Sequence, residues 1–307
     1  MKNKNLLLLI LLAALWGPSF LFIKVAVMDF PPVTLVAIRL TLAAIFLYAI
    51  LVFTKRHLPR DWATWRKFIF MGFFANALPF ALFSYGEQFA DSGAASILNG
   101  TTPIFTVIFA NFLIAEERFT SQRVGGVLLG FAGILFIFFP DLQALLDGRL
   151  QGGPETLGLF AFIGASVCYG IAISYSRANL RGLAPLVGPT SQMICAAAIA
   201  VPVALIAERP FGLNPQAPAI FSAAALGLFG TALAYLVYYR LLDNVSATFL
   251  SFVTYLLPPI GVILGVVFLG EKPGWYSFAG LFLIILGVMV INGLAADLAR
   301  RLSTRPV

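Results

Sequence analysis

The sequence predicts an all-α membrane protein of ten transmembrane helices arranged as two inverted five-helix repeats, and three observations predict it. Hydrophobic residues make up 60% of the 307 and charged residues only 11%, with a mean hydropathy of +0.95. A water-soluble domain of that composition would be left with a vast apolar surface. The chain is also duplicated: Ser96, Pro103, Val107, Ile108, Glu116, Gly125 and Leu128 recur, without a gap and 155 residues on, as Ser251, Pro258, Val262, Ile263, Glu271, Gly280 and Leu283. The front of each half matches at an offset of 153, with Gly17 on Gly170, Lys24 on Arg177, Pro32 on Pro185, and Ala43 and Ala44 on Ala196 and Ala197. Finally, Lys and Arg cluster in alternate loops, as orientation in a membrane requires.

In order, Met1 to Asn5 is a short basic start and residues 6–28 form the first apolar run, long enough to cross about 30 Å of hydrocarbon. No small-residue cleavage site ends it, so it reads as an uncleaved helix. Further spans are expected at about 31–53, 67–86, 92–115, 120–139, 156–176, 185–207, 217–240, 245–269 and 274–296. Pro31, Pro32, Pro185, Pro273 and Gly274 mark helix starts, where a missing amide donor costs little. Residues 1–140 and 155–300 then form the two repeats, joined by a linker at 141–154 that holds the Gly152-Gly153-Pro154 run.

Of the 20 Lys and Arg residues, 15 fall on the side of the N-terminus: Lys2, Lys4, Lys55, Arg56, Arg60, Arg66, Lys67, Arg118, Arg123, Arg177, Arg181, Arg240, Arg300, Arg301 and Arg305. The opposite loops hold Arg149, Arg209 and Lys272, while Lys24 and Arg39 sit within spans. Both termini are therefore expected in the cytoplasm of an inner (plasma) membrane. Five being odd, the second half enters from the other side, which inverts the repeat. Inverted repeats characterise secondary transporters, whose substrate lies between the halves near the bilayer midplane.

Leu15-Trp16-Gly17-Pro18-Ser19-Phe20 with Ile23-Lys24, then Pro31-Pro32 followed by Arg39, then a proline-containing helix ending at Glu116, resembles the EamA-type drug/metabolite transporter superfamily, in its ten-helix exporter group. The resemblance spans essentially the whole chain. It implies a central cavity lined mainly by the first four helices of each half, and an export direction. The Gly-Glu pair after the ninth helix stands as Gly270-Glu271, but the fourth helix ends Ala115-Glu116-Glu117, and the counterpart of Arg39 is Gln192.

Candidate site residues follow from depth and polarity. Arg39 sits about eight residues into the second helix, roughly 12 Å in, where a charge costs at least about 2.5 kcal/mol unless it meets a partner or water. Trp16, Asn76, Asn99, Thr102, Tyr169, Gln192, Tyr235, Ser251 and Tyr255 join it as candidate substrate contacts at mid-depth. The alternative for each is an interhelical hydrogen bond worth under about 1 kcal/mol. Pro103 and Pro258 are candidate kinks, since each removes a backbone bond inside a helix. Lys24 and Glu87 are candidate outer-gate residues; Lys24 otherwise snorkels to the interface. Glu116 and Glu271 are expected to cap the next helix start. Gly126, Gly130, Gly133, Gly261 and Gly265 form small-residue packing stripes. Cys168 and Cys195 read as buried packing residues.

These residues point to a secondary transporter that moves small metabolites such as amino acids or derivatives by alternating access; that it exports them is what the resemblance implies. A lipid-linked sugar or nucleotide-sugar carrier is the alternative, and a membrane-embedded enzyme a more distant one. The single histidine, His57, lies in a basic loop, and no metal-ligand or Ser-His pattern occurs within the spans. No phosphate-binding GxxxxGK[ST] loop is present to drive an ATP-powered pump. No cofactor, metal or nucleic acid is expected; the partners are a small-molecule substrate and the lipid bilayer, with the oligomeric state left open. For the topology, Gly148→Cys should react with an impermeant thiol reagent in intact cells and Arg305→Cys should not. Equal labelling of the two positions would refute the inverted arrangement.

Overall fold

The computed structural model describes residues 2–113, 120–137, 139, 153–180, 182, 186–244 and 253–291, and every regular element among them is helical. Seven helices are long and apolar enough to cross a membrane, and three shorter apolar helices, Ser121–Ile137, Leu256–Leu269 and Trp275–Gly287, fall on the remaining expected spans. The protein is an all-α membrane protein.

Several spans are interrupted, each for a local reason. The first is split into α1 (Lys2–Trp16) and α2 (Ser19–Ala26) at Gly17-Pro18, where proline has no amide with which to continue the ladder. The second is continuous, α3 (Pro32–Phe53), with its proline at the start. The third begins at the Asp61 cap, whose carboxylate accepts from the Thr64 amide at 2.7 Å; that bond holds the exposed Asp61 carboxyl below its usual range. It runs as α4 (Trp62–Gly72), a π turn at Phe73–Ala77, and α5 (Leu78–Gly86). Nearby, the Trp65 indole donates to the Pro59 carbonyl at 2.9 Å, fixing an aromatic ring of the interfacial kind beside Arg60 and Arg66.

The fourth span is α6 (Ser92–Asn99) and α7 (Thr102–Leu113). Its break falls at Gly100-Thr101 rather than at Pro103, which occupies the second position of α7, where a missing amide costs nothing. The fifth is α8 (Ser121–Ile137). The second half repeats the scheme with α9 (Pro154–Asn179), α10 (Val187–Val203) ending in a π turn at Ala204–Glu208, then α11 (Ala217–Gly227), a π turn at Leu228–Leu233, and α12 (Ala234–Asn244). Next come α13 (Val253–Leu264), with Pro258 and Pro259 inside it, a π turn at Gly265–Leu269, and α14 (Trp275–Ile291). Glu116 and Ser251 lie outside the described residues.

The halves interlock rather than sit side by side. Helix α3 packs on α10 and α8 on α14; α9, which opens the second half, packs on α5 and α7, while α1 and α2 pack on α11, α12 and α13. The contacts come in reciprocal pairs. A β-carbon at Gly17 would lie 2.5 Å from Ile260, and one at Gly170 would lie 2.7 Å from the Phe105 Cβ. Likewise Gly72 abuts Cys195 (3.1 Å to its Cβ) and Gly227 abuts Leu42 (2.9 Å to its Cβ). In each pair both residues have their repeat equivalents at the offsets seen in the sequence, so one surface of each half meets the same surface of the other, as across a two-fold axis. Both cysteines are buried and free.

The glycine stripe of α8 faces α14. A β-carbon at Gly133 would come 2.7 Å from the Gly280 carbonyl oxygen, and one at Gly287 would come 2.5 Å from the Gly126 carbonyl oxygen. Backbone carbonyls cannot withdraw, so these glycines set the helix separation. Gly125, the repeat mate of Gly280, has open space where its β-carbon would stand. Gly280→Leu should therefore lower the thermal unfolding midpoint sharply, by a cost of at least about 1–3 kcal/mol, while Gly125→Ala leaves it unchanged. Equal effects in a detergent melting assay would remove the glycine seam as the determinant of this contact.

Candidate functional site

The π turns organise the centre of the molecule. Phe73–Ala77 and Leu228–Leu233 lie at the 155-residue offset, and they carry Asn76 and Thr231 at equivalent positions. A π turn widens the helix and leaves backbone groups without their regular partners. Here the Thr231 hydroxyl donates to the Leu226 carbonyl at 2.8 Å, and the Gly230 carbonyl accepts from outside the helix.

Each turn is answered by the second span of the other half. The buried Arg39 of α3 donates from Nε to the Thr231 hydroxyl at 2.7 Å and from one Nη to the Gly230 carbonyl at 3.3 Å. Its guanidinium carbon stands 3.7 Å from the centre of the Phe80 ring, a favourable cation–π geometry. The repeat equivalent of Arg39, Gln192 of α10, donates to the Asn76 side-chain oxygen at 2.5 Å. Asn76 donates in turn to the Tyr235 hydroxyl at 2.8 Å, and the Tyr239 hydroxyl donates to the Gln192 oxygen at 2.7 Å. Arg39–Thr231 and Gln192–Asn76 are thus one interaction made twice with different chemistry.

Between these anchors lies a cavity of about 340 Å³, at the lower end of the roughly 300–1,000 Å³ typical of small-molecule sites. Its walls are aromatic: Trp16, Phe20, Phe80, Phe83, Tyr169, Tyr235, Tyr238 and Tyr239. Trp16 stands edge-on to Tyr235 with ring centres 6.2 Å apart. Among its described lining residues there are three arginines, Arg39, Arg123 and Arg177, and no Asp, Glu or Lys. Arg123 and Arg177 belong to the side rich in Lys and Arg, so the cavity extends toward that basic end.

At the other, acidic end the halves are clasped by carboxylates. Glu208, closing the α10 π turn, accepts from the Val33 amide (2.9 Å), the Thr34 amide (2.6 Å) and the Thr34 hydroxyl (2.7 Å) at the start of α3. Glu271 accepts from the Ser92 amide (2.8 Å), the Ser92 hydroxyl (2.7 Å) and the Gly93 amide (2.9 Å) at the start of α6. Asp29 accepts from the Gln216 amide at 2.8 Å, ahead of α11. Each carboxylate meets the free amides and positive dipole end of a helix from the opposite half. Glu271 is therefore a cap, but for the fourth span rather than for the helix that follows it. Gly270 turns the chain toward that position with φ +69°, a conformation that glycine adopts without strain.

Of the sequence-derived candidates, Trp16, Arg39, Asn99, Thr102, Pro103, Tyr169, Gln192 and Tyr235 border the cavity. Asn76 lies behind it, holding Gln192 and Tyr235. Pro258 lies in α13 and is not among the described lining residues; the Tyr255 side chain, in the same helix, lies outside what is described. Lys24 does not snorkel. Its ammonium donates to the Glu87 and Ala90 carbonyls at 2.7 and 2.8 Å, where the end of α5 leaves acceptors open. Glu87 is fully buried with neither carboxylate oxygen hydrogen-bonded. Sequence reasoning missed Ser19, Thr106, Arg123, Arg177, Tyr238 and Tyr239 as lining; a basic residue at a span end reads equally well as a topology signal.

The profile of an EamA-like transporter family matches residues 3–139 and again residues 156–293. The chain belongs to the EamA-like transporter family. This EamA-like chain is 24% identical over 287 residues to the uncharacterized transporter YoaV of Bacillus subtilis, with 94% of this chain and 96% of YoaV covered. It is also 24% identical to the uncharacterized inner membrane transporter YedA of Escherichia coli K12, covering 91% of this chain and 87% of YedA. A crystal structure sharing 19% of its residues matches the EamA-like fold with a TM-score of 0.65 over 98% of this chain and 99% of that one. The protein is accordingly a multi-pass membrane transporter and not an enzyme. Among the described residues no group of His, Cys, Asp and Glu is placed to hold a metal ion.

Proposed function

We propose that this transporter is a secondary exporter of small amphipathic metabolites that carry a carboxylate, amino acids or their derivatives first among them, and that it works by alternating access. The observation that carries the reading is the described part of the lining: three arginines and a wall of aromatic rings, with no carboxylate among the described lining residues. Arginine presents a planar fork of donors suited to a carboxylate, and the rings give an apolar body a surface to pack on. The reciprocal contacts support two inverted repeats, residues 1–140 and 155–300, that rock about the central anchors. The charge bias supports cytoplasmic termini in an inner membrane, which puts the cavity mouth at Arg123 and Arg177 on the cytoplasmic side and the carboxylate clasps outside. Substrate then enters from the cytoplasm, and release requires the acidic end to part. The cavity volume suits a small metabolite better than a lipid-linked sugar or a nucleotide sugar.

Arg39 has two of its donors on Thr231 and Gly230, and the rest of its fork is assigned here to the substrate carboxylate. In proteoliposomes, Arg39→Lys should keep the fold and weaken carboxylate transport by about tenfold or more, the cost of a charge-assisted hydrogen bond. Arg39→Gln, which copies Gln192, should nearly abolish it. If a ligand screen by thermal stabilisation returned only neutral or cationic compounds, and Arg39→Gln moved them normally, the carboxylate reading would be wrong.

A further inference from the structure

The three clasping carboxylates at the acidic end each collect helix amides, and Glu87, in the turn after α5, collects none. It has no exposed surface, and both of its carboxylate oxygens are buried without a hydrogen-bond partner. The Lys24 ammonium donates to the backbone carbonyls of Glu87 and Ala90 instead. The ionisable groups acting on Glu87 are Lys24 from α2, Arg39 from α3 and Glu271 from beyond the last π turn. Asp91 shares its own turn. Helix α9 brings Gly158 and Phe162 against Gly86, with Glu155 one turn earlier. Burial above all, with repulsion from Glu271 added and only partly offset by Lys24 and Arg39, holds the Glu87 carboxyl well above the usual carboxylate range.

An ionised carboxylate whose oxygens accept no hydrogen bond would carry a buried charge that Lys24 and Arg39 compensate only in part. The closed acidic end is therefore compatible with the neutral acid, and an open, wetted one with the carboxylate. We propose that Glu87 is a proton-binding site whose occupancy sets whether the acidic end is closed. On opening, the Glu87 O–H bond breaks, its proton passes to water and the carboxylate is hydrated; on closing, hydronium returns the proton and water is released. No oxidant or other co-reactant takes part. Because the closed form binds one more proton, raising the pH favours opening, by up to tenfold in the open-to-closed ratio per pH unit between the ordinary carboxylate pKa of about 4.3 and the raised value. The gating half of this proposal rests on the alternating-access reading; the proton site itself does not.

Two measurements on the full-length protein test it. In a chain whose Cys168 and Cys195 are replaced by alanine, Thr102→Cys places a thiol in the cavity, and an impermeant maleimide applied to intact cells reports access from the acidic end. Labelling, divided at each pH by that of a freely exposed thiol to remove the thiolate fraction, should rise with external pH in this chain and stay low and flat when Glu87→Gln, isosteric with the neutral acid, is added; the same pH profile in both would overturn the gate. Infrared spectra of the lipid-reconstituted protein at about neutral pH should show a protonated-carboxyl carbonyl band that Glu87→Gln removes. Its absence would overturn the proton site whatever the transport assays show. A band present with labelling flat in both chains would overturn the gate and count against alternating access, leaving the proton site standing.

Discussion

A bilayer core offers no hydrogen-bond partner to a polar side chain, so every one placed there must be satisfied inside the protein. This constraint falls on Arg39 and Gln192, equivalent positions in the second span of each half. Each is met by a π turn in the third span of the other half, Arg39 by Thr231 and Gly230, Gln192 by Asn76. A regular helix has its carbonyls committed to the residues one turn on. The π turn at Leu228–Leu233 presents the Gly230 carbonyl and the Thr231 hydroxyl to the guanidinium, and the halves are tied together there. Losing one partner would strand a buried charge or amide, which costs more than the bond contributes.

The remaining cross-half contacts follow the same geometry. Gly17 against Ile260 mirrors Gly170 against Phe105, and Gly72 against Cys195 mirrors Gly227 against Leu42. Close backbone approach at these four glycines brings the walls near enough to enclose a small cavity, with the first span of each half wedged between the third and fourth of the other. The ends differ in character. At one, Glu208, Glu271 and Asp29 fasten helix starts across the interface; at the other, Arg123 and Arg177 border the cavity.

Much of this was legible in the residues. The ten apolar runs, the duplication and the isolated charge of Arg39 are linear features, read from hydropathy, offset and depth. The π turns were not, because nothing in the Phe73–Ala77 or Leu228–Leu233 sequence encodes an extra residue per turn; the polar group of another helix selects it. The partners of Glu271 and Lys24 were misplaced for a related reason. A carboxylate beside a helix start and an ammonium near a span end each have a local solution, the next amide or the interface, and the fold supplied a distant one that a chain read in order does not offer. Pro103 drew attention as a kink because it stands mid-span. The break instead falls at Gly100-Thr101, which turns Pro103 into a favourable helix start.

The central claim is that the two anchors are one interaction made twice. The most direct test is to make them chemically identical, with thermal unfolding of Arg39→Gln, Thr231→Asn and the double variant measured in the same detergent. If the claim holds, each single change lowers the midpoint, and the double variant, in which a Gln–Asn pair reproduces Gln192–Asn76, regains most of the loss with a coupling of about 1 kcal/mol. Strictly additive losses would contradict it and leave the likeness of the two sites without energetic meaning.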